Sequence, residues 1–294
     1  MSLTLDQLDN TARVIQAAPI GICVTDAEGR FEMVNPAYCA LYGYRAEELL
    51  GQPFTLVVPE ANRPLLANLH DRFIAGDSDQ EATQEWEVKG RDGRPRNILA
   101  KAARIMGEDG KPKKVTFVVD ITERKAMERR LEFLARHDEL TGLLNRRAGL
   151  GLLDEEILRS RRYGTPLCVS TCDLDHFKRV NDAHGHAVGD TVLREAADLM
   201  KEALRQHDHV IRLGGEEFLV LLPGVDGKEA QRALDRLRQR LETTPFADVG
   251  LRLTLSAGVA ELQGDEAADA LMERADRALY AAKHEGRNRV KLAR

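Results

Sequence analysis

The chain has 294 residues, 43% of them apolar, and a formal net charge of −5. That length is enough for two domains with real cores, and the charge excludes a strong bulk attraction to nucleic acid or to an anionic membrane. No run approaches the ~18 consecutive apolar residues of a membrane span, and residues 1–16 have neither the basic start nor the apolar core of a signal peptide, so a cytoplasmic protein without membrane or nucleic-acid partners is expected.

The elements follow in chain order. Residues 1–18 contain an N-terminal helix: Leu5, Leu8, Ala12 and Ile15 form one apolar stripe, and Pro19 ends it. Residues 19–122 form a small α+β domain. "IGICVTDAEGRFEMVN" is two short strands around a turn, followed by helical pieces broken by Pro36, Gly43, Gly51, Pro53, Pro59 and Pro64. "ATQEWEVKG" and "PRNILAKAARI", joined by "RDGR", form a hairpin, and "KKVTFVVDI" completes a five-stranded antiparallel set. Residues 123–136 are a charged linker helix in which Met127, Leu131 and Leu134 are spaced four and three apart. That is coiled-coil spacing. It lasts barely two heptads, so a solvated linker is the plain alternative to a parallel dimer helix.

From residue 137 to 294 strands and long helices alternate, which predicts an α/β layer with a central sheet. "LCVSTCDL" (167–174) is a buried strand, "DTVLREAADLMKEALRQ" (190–206) an amphipathic helix, and "HVIRLGGEEFLVLL" (209–222) a hairpin. "KEAQRALDRLRQRLE" is a helix, "LRLTLSAGVAEL" a strand, "ADALMERADRALYAAKHEG" a helix, and "NRVKL" a last strand. The cysteines Cys23, Cys39, Cys168 and Cys172 show no CxxC spacing. They are expected as buried reduced thiols.

Several residues could carry chemistry. Asp173 and Asp175 sit at the C-terminal end of the buried strand, where α/β sheets place their ligand sites. Two such carboxylates call for a positive partner or a proton. A divalent ion is the simple solution, and Mg²⁺ prefers carboxylates together with substrate phosphates; a strand-end cap is the alternative. Gly214, Gly215, Glu216 and Glu217 occupy the hairpin tip. A turn needs the glycines but not two adjacent negative charges. If strand and hairpin are neighbours, Asp173 and Glu216 can face each other across a metal site for phosphoryl transfer, and the glycines would let a nucleotide approach the backbone.

"NDAHGHAVGD" (181–190) reads as a polar loop before a helix. In it, Asn181 and Asp190 offer a mixed edge and an acceptor edge, which suits guanine; helix N-cap is the other reading for Asp190. Lys178, Lys283 and Arg287 are candidate phosphate clamps, or a solvated basic surface. Lys283 and Arg287 share one helix face if the helix reaches that far.

Taken together, the stretches "HDELTGLLNRRA", "CDLDHFKRVNDAHGHAVGD", "RQHD", "RLGGEEF", "SAGVA" and "ADRALYAAKHEGRNRV" resemble, in order, the GGDEF family of diguanylate cyclases, and they cover essentially all of 137–294. The resemblance implies a polymerase-palm-like fold that joins two GTP molecules into cyclic di-GMP with loss of two pyrophosphates. By the family's pattern, Asp173, the Leu174 carbonyl and Glu216 would hold Mg²⁺ or Mn²⁺, and Glu216 or Glu217 would help deprotonate the attacking 3′-hydroxyl. Asn181, His186 and Asp190 would bind GTP, and Lys178, Lys283 and Arg287 would face its phosphates. The motif is GGEEF rather than GGDEF, and both carboxylates survive.

"RQHD" matches the family's RxxD inhibitory site, with Arg205 and Asp208 ending five residues before Gly214. Residues 11–122 resemble a PAS domain by "APIGICVTDAEGRFEMVNPAYCALYGYRAEELLGQP", "GRDGRPRNI" and "VVDITERK". Neither a flavin-adduct motif nor a haem-type histidine position is recognised there, so an apolar small ligand, or none, is expected rather than haem, and its identity is unassigned. Two GTP-loaded domains must meet, so a homodimer through the N-terminal and linker helices is implied. The rival expectations are a non-catalytic receptor for cyclic di-GMP and a PAS scaffold with a vestigial partner domain. No second catalytic domain is read, so a phosphodiesterase is not expected.

Overall fold

The computed structural model describes residues 5–76, 83–247 and 250–293, without the side chains of residues 5–9. The chain divides into two compact units between Arg129 and Arg130.

In the first unit, α1 (Leu5–Ala17) ends before Pro19 as its sequence predicts; residues 1–4 and the side chains of Leu5 and Leu8 lie outside the description. Strands β1 (Gly21–Thr25) and β2 (Phe31–Val34) form a hairpin. Helices α2 (Pro36–Tyr42), α3 (Ala46–Leu49) and α4 (Arg63–Ala75) follow, with two short 3₁₀ turns between α3 and α4. Strands β3 (Gln84–Lys89), β4 (Pro95–Met106) and β5 (Pro112–Asp120) complete a five-stranded antiparallel sheet in the order β2-β1-β5-β4-β3.

Asn35 ties the first turn of α2 to the sheet. Its buried side-chain oxygen accepts from the backbone of Ile22 (2.8 Å) and of Tyr38 (2.9 Å), and its amide donates to the carbonyls of Ile20 and Ile15. Every polar atom of a fully buried amide is thereby satisfied. Helix α5 (Thr122–Arg136) occupies the predicted linker. Met127 and Leu131 stand exposed on it.

In the second unit, β6 (Leu144–Asn145) precedes α6 (Arg146–Tyr163), β7 (Leu167–Leu174), α7 (Phe177–His184) and α8 (His186–Ala203). Strands β8 (His209–Gly214) and β9 (Glu217–Pro223) form the hairpin, followed by α9 (Gly227–Thr243), β10 (Leu255–Glu261), α10 (Ala268–His284) and β11 (Val290–Leu292). The six strands run β11-β10-β7-β9-β8-β6. The four central strands are antiparallel, and only the edge strands β6 and β11 pair in parallel.

All eight residues of β7 are buried, because helices cover both faces of the sheet. The two-residue pleat sorts them. Leu167 and Val169, with Leu219 and Leu221 of β9, pack with residues of α6 and α10. Cys168, Cys172 and Leu174, with Phe218, Val220 and Leu222, pack with residues of α8 and α9. Each fully buried leucine contributes about 1.5–3 kcal/mol. At Gly258 an added Cβ would lie 2.1 Å from the Ala275 carbonyl oxygen, so only glycine lets α10 approach β10 this closely.

Two local expectations are corrected. The segment 181–190 is a junction of helices rather than a loop. Gly185, with φ of 83°, separates α7 from α8, and α8 begins at His186, four residues earlier than predicted. Gly189, Val192 and Leu193 are buried, and that apolar face extends the helix toward its start. Asp190 therefore lies inside α8 and is not its N-cap. The shared face of Lys283 and Arg287 also fails. Helix α10 ends at His284, and Arg287 has a left-handed backbone with φ of 56°.

Candidate active site

The site grows from strand parity. Asp173 lies an even number of residues from Val169, and Glu217 likewise from Leu219, so both belong to the α10 side of the sheet. They stand directly opposite one another across β7 and β9, so the register pairs Asp173 with Glu217 and not with Glu216 as expected, because Glu216 lies in the turn before β9 begins. Like charges so placed are destabilising unless something offsets them. The offset comes from the last turn of α10, where Lys283 Nζ lies 2.7 Å from Asp173 Oδ2. Burial pushes the Asp173 carboxyl above its ordinary value; Lys283 pulls it down, and the charges of Glu216 and Glu217 push it up again. The Glu216 carbonyl accepts from the backbone N–H of Leu174 at 3.3 Å, which fixes the hairpin tip beside the end of β7. Of the two glutamates, Glu216 is half-buried and Glu217 exposed.

The tip glycines are dictated by the backbone. Gly214 has φ of 140° and Gly215 φ of 56°, and a side chain added at either would meet nothing within 4 Å. The conformation demands glycine, and the space beyond is open.

The tip is held by a residue not singled out in the sequence. Arg212 donates to the Gly215 carbonyl from Nε (3.0 Å) and Nη2 (2.8 Å), and from Nη1 to Asp138 Oδ1 (2.8 Å). Asp138 also accepts from the Thr141 backbone and hydroxyl, both within its own turn. Burial raises the Asp138 carboxyl, but Arg212 and Thr141 outweigh it and hold it below its ordinary value. The signal in sequence was an arginine three residues before a left-handed glycine, too common a pattern to stand alone.

Asp175 is separate from Asp173. It is buried and accepts from Thr254 Oγ1 (2.7 Å), Ser256 Oγ (2.7 Å) and the Asn288 backbone (3.1 Å). These bonds pin the segment after α10 and the entry to β10 to the end of β7. Its role is architectural, but it braces segments distant in the chain rather than capping the next turn as the alternative reading had it.

Asn181, on α7, lies against α8. A Cβ at Gly189 would fall 1.9 Å from Asn181 Oδ1, so the glycine makes room for the amide next to Asp190 in the chain. His186 opens α8 and is exposed, as are Lys178 and Arg287. Lys283 stands apart from these two through its bond to Asp173. Arg205 and Asp208 form a tight turn after α8: the Asp208 carboxylate accepts from the Arg205 backbone at 2.9 Å, and the Asp208 N–H returns to the Arg205 carbonyl at 3.0 Å. The Arg205 side chain is exposed.

Among the described residues no group of three or more His, Cys, Asp or Glu side chains is arranged to hold a metal ion. The donor chemistry nevertheless suits a hard cation, because Asp173, Glu216 and Glu217 bring excess negative charge to one buried strand end. No helix of the described residues is long and apolar enough to cross a membrane.

A PAS sheet followed by a sheet with an acidic, glycine-tipped hairpin defines a class. Residues 135–289 match the family described as "Diguanylate cyclase, GGDEF domain", and residues 9–121 match the PAS fold. The first match covers more than half of the chain, and the chain belongs to the GGDEF diguanylate cyclase family.

Among its relatives, diguanylate cyclase DgcP of Pseudomonas aeruginosa is 46% identical over 158 residues, 53% of this chain and 24% of that protein. Diguanylate cyclase DgcM of Escherichia coli is 32% identical over 277 residues, 94% of this chain and 66% of that protein. The chain thus spans from about a quarter to about two thirds of the length of these relatives. The GGDEF domain of DgcB from Caulobacter crescentus, solved in complex with c-di-GMP, aligns with a TM-score of 0.52 at 35% identity, covering 54% of this chain and 96% of that one.

Proposed function

We propose that this protein condenses two GTP molecules into cyclic di-GMP, releasing two pyrophosphates. The observation that carries the reading is the meeting of Asp173, Glu216 and Glu217 at the end of β7, beside an open glycine tip. Each 3′-oxygen attacks the α-phosphorus of the other GTP; the bond to pyrophosphate breaks, and the hydroxyl proton passes to Glu216 or Glu217. Asp173, Glu216 and the Leu174 carbonyl would hold Mg²⁺ or Mn²⁺. Such an ion, when bound, supplies charge neutralisation at the phosphates.

The protein's own contribution is position. Asn181 and Asp190 read guanine, with His186 beside them, and Gly214 and Gly215 leave room for the nucleotide. Lys178 and Arg287 face phosphates. Lys283 pairs with Asp173 until substrate arrives and then shares itself with phosphate. Catalysis by alignment of this kind can supply several orders of magnitude in rate. Because each catalytic unit holds one GTP, the active species is a homodimer, paired through α1 and α5. The PAS unit regulates that pairing. Product binds back at Arg205 and Asp208 and inhibits.

The test is purified protein with GTP and Mg²⁺, with cyclic di-GMP quantified by chromatography beside Glu216→Ala. Product from the wild type and at least a ~10³-fold loss in the variant are expected. Equal product from both would overturn the hairpin assignment. Binding of cyclic di-GMP without any turnover would favour the receptor reading.

A further inference from the structure

The first unit has a partly open cavity of about 90 Å³ lined by its sheet and its helices. Most of its wall is apolar or aromatic, including Tyr42, Val57, Trp86 and Ile98. At about 10–15 Å³ for each water-sized occupant, it has room for roughly six to nine non-hydrogen atoms. A tetrapyrrole or a flavin is far larger.

One side of this wall is polar and unsatisfied. Thr25 and Lys114 stand directly opposite one another on β1 and β5, and His70 reaches the same cavity from α4. His70 is 2% exposed and Thr25 3% exposed. Neither ring nitrogen of His70, nor the Thr25 hydroxyl, has a hydrogen-bond partner. The Asp26 and Ala27 backbone is near enough to favour a charged imidazole, but no bond of ordinary geometry forms. A buried polar group left unpaired loses its bonds to water without replacement, so two such residues facing one cavity are a liability unless something fills it.

Lys114 adds a charge to the same place. Among the described residues no carboxylate pairs with it. Its Nζ lies 5.9 Å from the Phe54 ring centre and 5.3 Å from that of Phe73, and the Phe54 ring packs on His70 at 5.2 Å. Burial lowers its ammonium below the ordinary lysine value, and its charge is in turn one of the causes that lower His70. An ammonium, an imidazole and a hydroxyl line the same cavity, and each of the three can donate a hydrogen bond to an acceptor placed there.

We propose that this cavity binds a small apolar carboxylate, with its head on Lys114, His70 and Thr25 and its hydrocarbon body against the aromatic wall. A carboxylate supplies acceptor sites for several donors at once and neutralises the buried cation. A neutral ligand of the same shape would leave the ammonium unpaired. The inference concerns binding to the first unit and stands independently of the activity proposed for the second.

The test is calorimetric titration of the full chain at neutral pH with benzoate and isovalerate as probes, and with benzamide as the uncharged counterpart of benzoate. The expected result is binding of at least one carboxylate with Kd below about 1 mM, benzamide at least tenfold weaker, and a similar tenfold loss in Lys114→Met. Thr25→Val should weaken the carboxylate a few-fold, and circular dichroism checks that both variants fold. Three results would each overturn the proposal: no heat from either carboxylate up to 10-fold above that Kd, benzamide binding as tightly as benzoate, or undiminished binding in a folded Lys114→Met. The comparison of benzoate with benzamide needs only the wild type, so it decides even if a variant does not fold.

Discussion

The two units differ in how their central polar groups are partnered, although each buries an unpartnered hydroxyl, Thr25 in the first and Thr171 in the second. In the second, the most buried charged groups at the end of β7 have partners within the chain: Asp173 has Lys283, Asp175 has two hydroxyls and a backbone N–H, and Arg212 has Asp138 and a carbonyl, while Glu216 and Glu217 supply the uncompensated charge of the open tip. In the first, His70 and Thr25 are buried without partners around a cavity. The second unit braces an open edge through Asp175 and Arg212, as positioning chemistry requires. The first leaves a deficit inside its wall. A satisfied scaffold can hold substrate in register, whereas an unsatisfied one gains stability when a ligand enters.

The strongest way to separate the units is at Gly258. Gly258→Val drives a side chain into the α10 backbone, where even a Cβ would sit 2.1 Å from Ala275 O. Overpacking against main chain costs about 3 kcal/mol or more. The expected outcome in calorimetry is loss of the second unit's unfolding transition while the first unit's persists. A single transition shifted to lower temperature would show that the two units do not unfold independently, and an unchanged one that the helix gives way to the added side chain.

A smaller effect is expected from Arg212→Met, which keeps the length but removes the clamp on the Gly215 carbonyl. Cyclase activity should fall about 10–100-fold, mainly in kcat, because misplacement of about 1 Å is costly in an aligned site. Unchanged kinetics would mean that the tip holds itself.

Asp173→Asn probes the charge at the strand end. The Asp173 carboxyl has a folded value above its unfolded one. The folded state therefore holds the proton more tightly, and the penalty for ionisation is absent below the unfolded value and grows as pH rises through the folded value. Asp173→Asn should thus abolish activity yet raise the Tm of the second unit by about 1–3 °C, with the gain shrinking toward pH 3. A lower Tm at pH 7 would show that the bond to Lys283 outweighs the burial.

The mildest probe is cysteine chemistry. Burial pushes the thiol of Cys23 up to about 11 and those of Cys168 and Cys172 up to about 12. Cys39 is less buried and is raised less. Under native conditions at pH 8, iodoacetamide followed by peptide mapping should modify Cys39 first. A carboxylate bound in the first unit should slow Cys23 further, since that thiol lines the cavity.

Much of this was legible in the residues. The apolar run of β7, the Gly-Gly-Glu-Glu tip and the "RDGR" turn each impose their local structure through burial pattern or backbone demand, and they sit where they were read. The α8 start was misread because one glycine at 185 was taken as part of a loop, when it interrupts two helices whose apolar faces continue on either side. The Lys283–Arg287 face failed because a left-handed residue after the helix turns the chain away.

By itself the sequence determined the two-unit order, the family motifs and the acidic hairpin, because those follow from periodicity and from glycines that no other residue replaces. Only the tertiary structure decided the partners: that Asp173 meets Glu217 and Lys283, that Asp175 is a structural brace, and that His70, Thr25 and Lys114 share one cavity. These pairings join residues far apart in the chain, through strand register and helix packing. Local spacing carries no information about either.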